Sequence, residues 1–125
     1  MVEVNVKIEG RGYLPQYKNP MKDGGMDIKT NRVVYNPRTQ TLTCYTGVTP
    51  DIPSGYVGLI LPHRSIGDRG LISFNSCGII NSGEDLEIIL QFKAFPPYSR
   101  LYNEDDSVGT FIILPFETVM WVNNN

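Results

Sequence analysis

Residues 71–90 read LISFNSCGIINSGEDLEIIL. The segment GIINSG (78–83) sits where a short turn between two apolar strands belongs, since Gly, Asn and Ser favour tight reversals. Its flanks are rich in Ile, Leu and Phe and too short for helices, so both read as strands. The turn poses a chemical question as well. Its fourth residue is the amide Asn81, at a place where a carboxylate would suggest a hydrolytic base.

The same β signal extends in both directions. VEVNVKI (2–8) alternates strictly, apolar at Val2, Val4, Val6 and Ile8, and predicts a half-buried strand. A Gly- and Pro-rich loop follows over 10–25. Further strands are expected at MDIKT (26–30), RVVYN (32–36), TLTCYT (41–46), YVGLILP (56–62), LISFNS (71–76), LEIILQFKA (86–94) and VGTFIILPF (108–116), with TVMWV (118–122) as a short last one. DIPSG (51–55) reads as a turn, and HRSIGDRG (63–70) as a polar loop holding one short helical turn. Apolar residues nowhere recur at helical spacing. Short strands separated by turns predict an all-β barrel or jelly roll in one domain, with a core over 1–118 and a C-terminal strand and tail over 119–125.

The 125 residues carry 11 Lys and Arg against 13 Asp and Glu. That balance, with the basic residues scattered, excludes a dedicated nucleic-acid binder. No apolar stretch reaches membrane-spanning length, and the start lacks the pattern of a signal peptide. Cys44 and Cys77 read as two reduced, buried thiols in a cytoplasmic protein. The single histidine, His63, has no Cys, Asp or Glu at ligand spacing, so no metal site is read from it.

Taken in order, several segments resemble the dUTPase family, trimeric nucleotide hydrolases of a jelly-roll-like superfamily that includes the dCTP deaminases. LPQYKNPMKDGGMDIKTN (14–31) resembles the opening loop and first motif, with Asp27 kept. IPSGYVGLILPHRSIGDRGL (52–71) resembles the strand and second motif. LISFNSCGIINSGEDLEIIL resembles the third, and VGTFIILPF the fourth. The likeness spans roughly 4–117 and implies a dUTPase-like homotrimer, with Asn75 on the family's uracil-binding Asn and Gly78 within the third motif.

The departures shape the functional expectation. The third-motif Asp that polarises the attacking water falls at Asn81, and the Tyr beneath the deoxyribose falls at Glu84. A gapless second motif puts Pro62 on its Pro, His63 on its Arg, Arg64 on its first Ser and Ser65 on the next residue. The fourth-motif Arg and Gln become Ser107 and Thr110, and the deaminase Glu aligns with Gln91. The Gly-rich fifth motif is not matched by VMWVNNN (119–125). The resemblance therefore implies no catalytic residue: Asn81, Glu84, Gln91, His63, Arg64 and Thr110 all stand at altered positions.

These positions lead to the expectation of a non-enzymatic, trimeric viral or phage scaffold. Such a protein would work in the host cytoplasm or a virion without cofactor, and would bind itself and other viral or host proteins but no nucleic acid or membrane. Met120, Trp121 and Val122 are the expected subunit contact, since Trp121 is costly to leave in water. The alternative is a diverged protein that still binds or weakly hydrolyses deoxynucleoside triphosphates with Mg2+. It would use Asp27, Arg64, Ser65, Asn75 and Gly78, with Arg69 as a second phosphate contact. GDRG (67–70) reads either as a phosphate cradle or as a plain turn, and EDD (104–106) as a solvated turn.

Overall fold

The structure is a computed structural model that describes residues 1–74 and 77–125. Among the described residues, ten strands and one helical turn follow in order: β1 Asn5–Ile8, β2 Met26–Lys29, β3 Arg32–Asn36, β4 Thr41–Tyr45, β5 Val48–Asp51, β6 Tyr56–Pro62, α1 Ile66–Arg69, β7 Ile72–Ser73, β8 Gly78–Asn81, β9 Ile89–Lys93 and β10 Ser107–Pro115. One four-stranded sheet runs β2-β10-β6-β8 and the other β3-β4-β9-β7, while β1 pairs with β5 alone. All strand pairs are antiparallel. This is the expected all-β jelly roll.

The inward positions of both sheets build one core. Ile28, Ile80, Val108 and Phe111 come from the first sheet and meet Leu42, Cys44, Leu90 and Phe92 from the second, all buried. Alternation along each strand sends the neighbouring side chains outward. The three buried polar side chains among the described residues are satisfied internally. Thr46 Oγ1 donates to Ile88 O at 2.6 Å, Thr30 Oγ1 to Tyr45 O at 2.7 Å, and Ser99 Oγ to Gly70 O at 2.8 Å. Thr46 and Thr30 close backbone gaps where strands end, and Ser99 closes one where α1 ends, gaps that burial would otherwise penalise.

Two details of the first sheet position the groove described below. The β10–β2 register slips between Ser107 and Gly109, so Val108 bulges inward to full burial and Ser107 turns toward β2. After β6, α1 stops at Gly70, whose left-handed φ of 66° lets its N–H reach Gly67 O and Ile66 O.

Several expectations need correction. β1 is exposed along its whole length rather than half-buried, because it pairs only with β5 and no layer covers it. GIIN is strand rather than turn, paired with β6, and the reversal begins after Asn81. TVMWV forms no strand, since it finds no pairing partner among the described residues; Trp121 is 91% exposed. Val48–Asp51 is an unforeseen strand, and LISFNS keeps only Ile72–Ser73 as strand among its described residues. Both cysteines are free, but only Cys44 is buried and Cys77 is exposed.

Candidate functional site

The strand register gathers one set of candidate residues. Asp27 on β2 lies opposite Thr110 on β10, and Thr110 lies opposite Leu61 on β6, so three outward side chains form a row across the sheet. His63 and Arg64 follow β6 directly. With Lys18 and Asp23 from the first loop, these residues line an open groove of about 490 Å3. Two cations, Lys18 and Arg64, face two carboxylates, Asp23 and Asp27, along its walls.

Hydrogen bonds fix the inner wall. Ser107, swung toward β2 by the bulge, donates its hydroxyl to Asp27 Oδ2 at 2.8 Å. The other Asp27 oxygen lies 3.9 Å from His63 Nε2. His63 Nδ1 is 3.1 Å from the Ser65 backbone N and 2.9 Å from Ser65 Oγ, and Ser65 Oγ is 2.8 Å from the Tyr102 hydroxyl. Burial, partly opposed by Ser65 and Arg69, pushes the Tyr102 hydroxyl above its ordinary pKa, which keeps it a proton donor.

Arg69, the expected second phosphate contact, is not among the residues lining the groove. Its guanidinium donates to Leu101 O at 2.9 Å and to Asp106 at 3.4 Å, and stacks over the Tyr102 ring with 4.4 Å to the centroid. Asp106 is correspondingly a structural anchor rather than part of a solvated turn, since it also accepts the Asn103 backbone N–H at 2.8 Å. The pairing of Arg69 with Asp106 crosses 37 residues, which is why no local motif announced it.

The third-motif residues lie elsewhere. Asn81 ends β8 opposite Val57, at the start of β6, whereas His63 follows the end of that strand. Six residues of extended chain separate these levels by roughly 20 Å. At this far end the Asn81 Nδ2 donates to Glu84 Oε1 at 2.7 Å. Gly83 and Glu84 line a second cavity, of about 300 Å3, with Lys7, Thr49 and Asp51. Gly78 and Gln91 line a third small cleft of about 90 Å3, and Gln91 Nε2 donates to Thr43 Oγ1 at 3.2 Å. Asn75 lies outside the described residues.

The all-β jelly roll that carries this groove has the dUTPase-like fold. A mutant dUTPase from phage phi11 of S. aureus, described with a structural Mg(II) ion, superposes with a TM-score of 0.76 at 20% identity, covering 98% of this chain and 96% of that one. A mutant dUTPase of Staphylococcus bacteriophage 80alpha, described with dUpNHpp, gives 0.75 at 19% identity over 98% and 96%. The chain belongs to the dUTPase family, whose family model matches residues 13–94. The deoxyuridine 5'-triphosphate nucleotidohydrolase of Tropheryma whipplei (strain Twist) is 28% identical over 115 residues, covering 90% of this chain and 77% of the relative.

These findings overturn the expectation of a catalytically inactive scaffold. The family match runs through His63, Arg64, Asn81, Glu84 and Gln91, so the substitutions lie inside the matched region, and the named relative points to an enzyme. A change of one letter does not remove the chemistry of its surroundings: Asn81 has the Glu84 carboxylate within one hydrogen bond.

Proposed function

We propose that the chain is a deoxynucleoside triphosphate nucleotidohydrolase of the dUTPase type that acts as a homotrimer. The observation that carries this reading is the family match across both residue sets, the groove residues 27, 63 and 64 and the turn at 81 and 84. The two sets sit at opposite ends of β6, too far apart to meet on one nucleotide within one chain. Packing the turn of one copy against the groove of another completes the site.

In that assembly the groove takes the triphosphate. Arg64 and Lys18 supply positive charge, and Thr110 and His63 supply hydrogen bonds. Mg2+ is held in such sites by one or two carboxylates together with substrate phosphates and water. Asp27 and Asp23 on one groove fit that donor set, although no group of three or more metal-ligating side chains occurs among the described residues. The ion supplies charge neutralisation to the triphosphate when bound.

The attacking water needs a proton acceptor, which an amide at 81 cannot be. Glu84 takes that role. The Asn81 amide holds one carboxylate oxygen and leaves the other to accept the water proton as the oxygen–phosphorus bond forms. The bond from the α-phosphorus to the bridging oxygen breaks, and pyrophosphate leaves with its electron pair. Incubating the protein with dUTP, dCTP and Mg2+ tests the reading. Pyrophosphate release is expected, and no release from any deoxynucleoside triphosphate would overturn it.

A further inference from the structure

The hydrogen bonds around His63 determine which ring nitrogen carries its proton. A backbone N–H can only donate, so Nδ1, 3.1 Å from the Ser65 N, accepts. The Ser65 hydroxyl, 2.9 Å from the same nitrogen, must then donate to it as well, because two lone pairs at that distance would repel. Its oxygen in turn accepts from the Tyr102 hydroxyl at 2.8 Å. The neutral imidazole therefore carries its hydrogen on Nε2. That N–H faces the groove, and its nearest carboxylate oxygen, on Asp27, is 3.9 Å away, beyond hydrogen-bond reach.

We propose that His63 is a substrate-contacting residue, locked by Ser65 as the Nε2–H tautomer, which presents a neutral N–H donor to a phosphate oxygen in the groove. The assignment of a phosphate as ligand rests on the nucleotidohydrolase reading; the tautomer does not. A neutral donor has a specific use here. The groove already balances Lys18 and Arg64 against Asp23 and Asp27, so His63 adds direction to phosphate binding without adding charge. Ser65 and Tyr102 are positioning residues that hold the ring from behind. Tyr102 is itself only 2% exposed and pinned beneath Arg69, so the chain of bonds starts in the rigid core and ends at the groove.

The chain has one histidine, so its ring nitrogens give a single, unambiguous set of NMR signals. Long-range proton–nitrogen spectra of the 15N-labelled protein at about pH 8, where imidazole is ordinarily neutral, are expected to show the Nε2–H tautomer. Adding inorganic tripolyphosphate or dUpNHpp should shift the Nε2–H resonance. Calorimetry with dUpNHpp is the second arm. His63→Asn, which cannot place a donor at the Nε2 position, should bind about 10- to 100-fold more weakly, as expected for losing a hydrogen bond to a charged group. His63→Gln, whose Nε2 reaches the same place, should stay near wild type.

An Nδ1–H tautomer in the free protein would overturn the proposal. So would wild-type affinity in His63→Asn, provided its thermal midpoint shows that it folds. If wild type binds neither probe at millimolar concentration, the nucleotidohydrolase reading falls and the substrate contact with it. If wild type binds and His63→Asn binds equally, only the role of His63 falls.

Discussion

Asn81 and Glu84 illustrate how one residue's chemistry depends on a neighbour three positions away. The sequence shows an amide where a base is expected. The structure adds a carboxylate bonded to it at 2.7 Å, a contact that no motif comparison by position could register. Glu84→Gln should lower kcat by about 10²- to 10⁴-fold, the usual contribution of a general base, with little change in dUpNHpp affinity. Moving the carboxylate back, as Asn81→Asp with Glu84→Gln, should recover part of the activity. Unchanged kcat in Glu84→Gln would remove Glu84 as the proton acceptor. Cys44 gives a prediction about stability at the same scale. Burial pushes its thiol from an ordinary 9.0 up to about 12. Because the raised value belongs to the folded state, the stabilisation is full below pH 9 and is lost as pH rises toward 12. Alkaline unfolding should steepen across that window by up to about 1.4 kcal/mol per pH unit, and Cys44→Ala should flatten the slope. An aromatic disulfide reagent at pH 8 should titrate Cys77 alone in the folded protein and both thiols in denaturant.

Among the elements, legibility in the sequence followed pairing. RVVYN and TLTCYT are sequence neighbours joined by a turn, and both were readable as strands that prove to pair directly. YVGLILP and VGTFIILPF are long and apolar, and their central pairing gives the groove its floor. Elements whose state depends on distant partners were not readable. Val48–Asp51 is polar and carries Pro50, and is a strand only because β1 lies beside it. GIIN reads as a turn from composition, yet becomes strand because β6 offers an edge. The same limit applied to the site. Asp27, Pro62, His63, Arg64 and Thr110 of the groove were singled out from the family likeness, but Leu61 and Ile112 were not, nor were Lys18 and Asp23, which lie in a loop with no periodic signal. The β6–β10 contact is also a closely packed place to test the fold. A Cβ added at Gly58 would lie 2.8 Å from the Phe111 ring and 3.2 Å from Ile52 Cδ1. Gly58→Ala should therefore destabilise the protein by about 1–3 kcal/mol through overpacking, read as a lower urea midpoint with an unchanged m-value. A stability equal to wild type would mean that β6 and β10 are less closely apposed.

At the scale of the whole molecule, one chain leaves much apolar surface uncovered. Ile72 and Ile79 are each 59% exposed on edge strands β7 and β8, and Met120, Trp121 and Val122 are 85%, 91% and 72% exposed at the C-terminus. Surface of this kind favours association, and under the proposed function the separation of the two residue sets along β6 makes association a requirement for catalysis. Light scattering is expected to give three times the 14.0 kDa chain mass, and truncation after Thr118 should weaken the trimer if Trp121 lies in the contact. The sharper test is complementation. Arg64→Glu damages the groove and Glu84→Gln damages the turn, and each homotrimer should be nearly inactive. Mixed by unfolding and refolding together, the two variants should recover about a quarter of wild-type activity. In a closed ring with random assortment, about one neighbouring pair in four joins an intact groove to an intact turn. A site confined to one chain predicts no recovery at any mixing ratio, because every chain in the mixture would carry one of the two lesions.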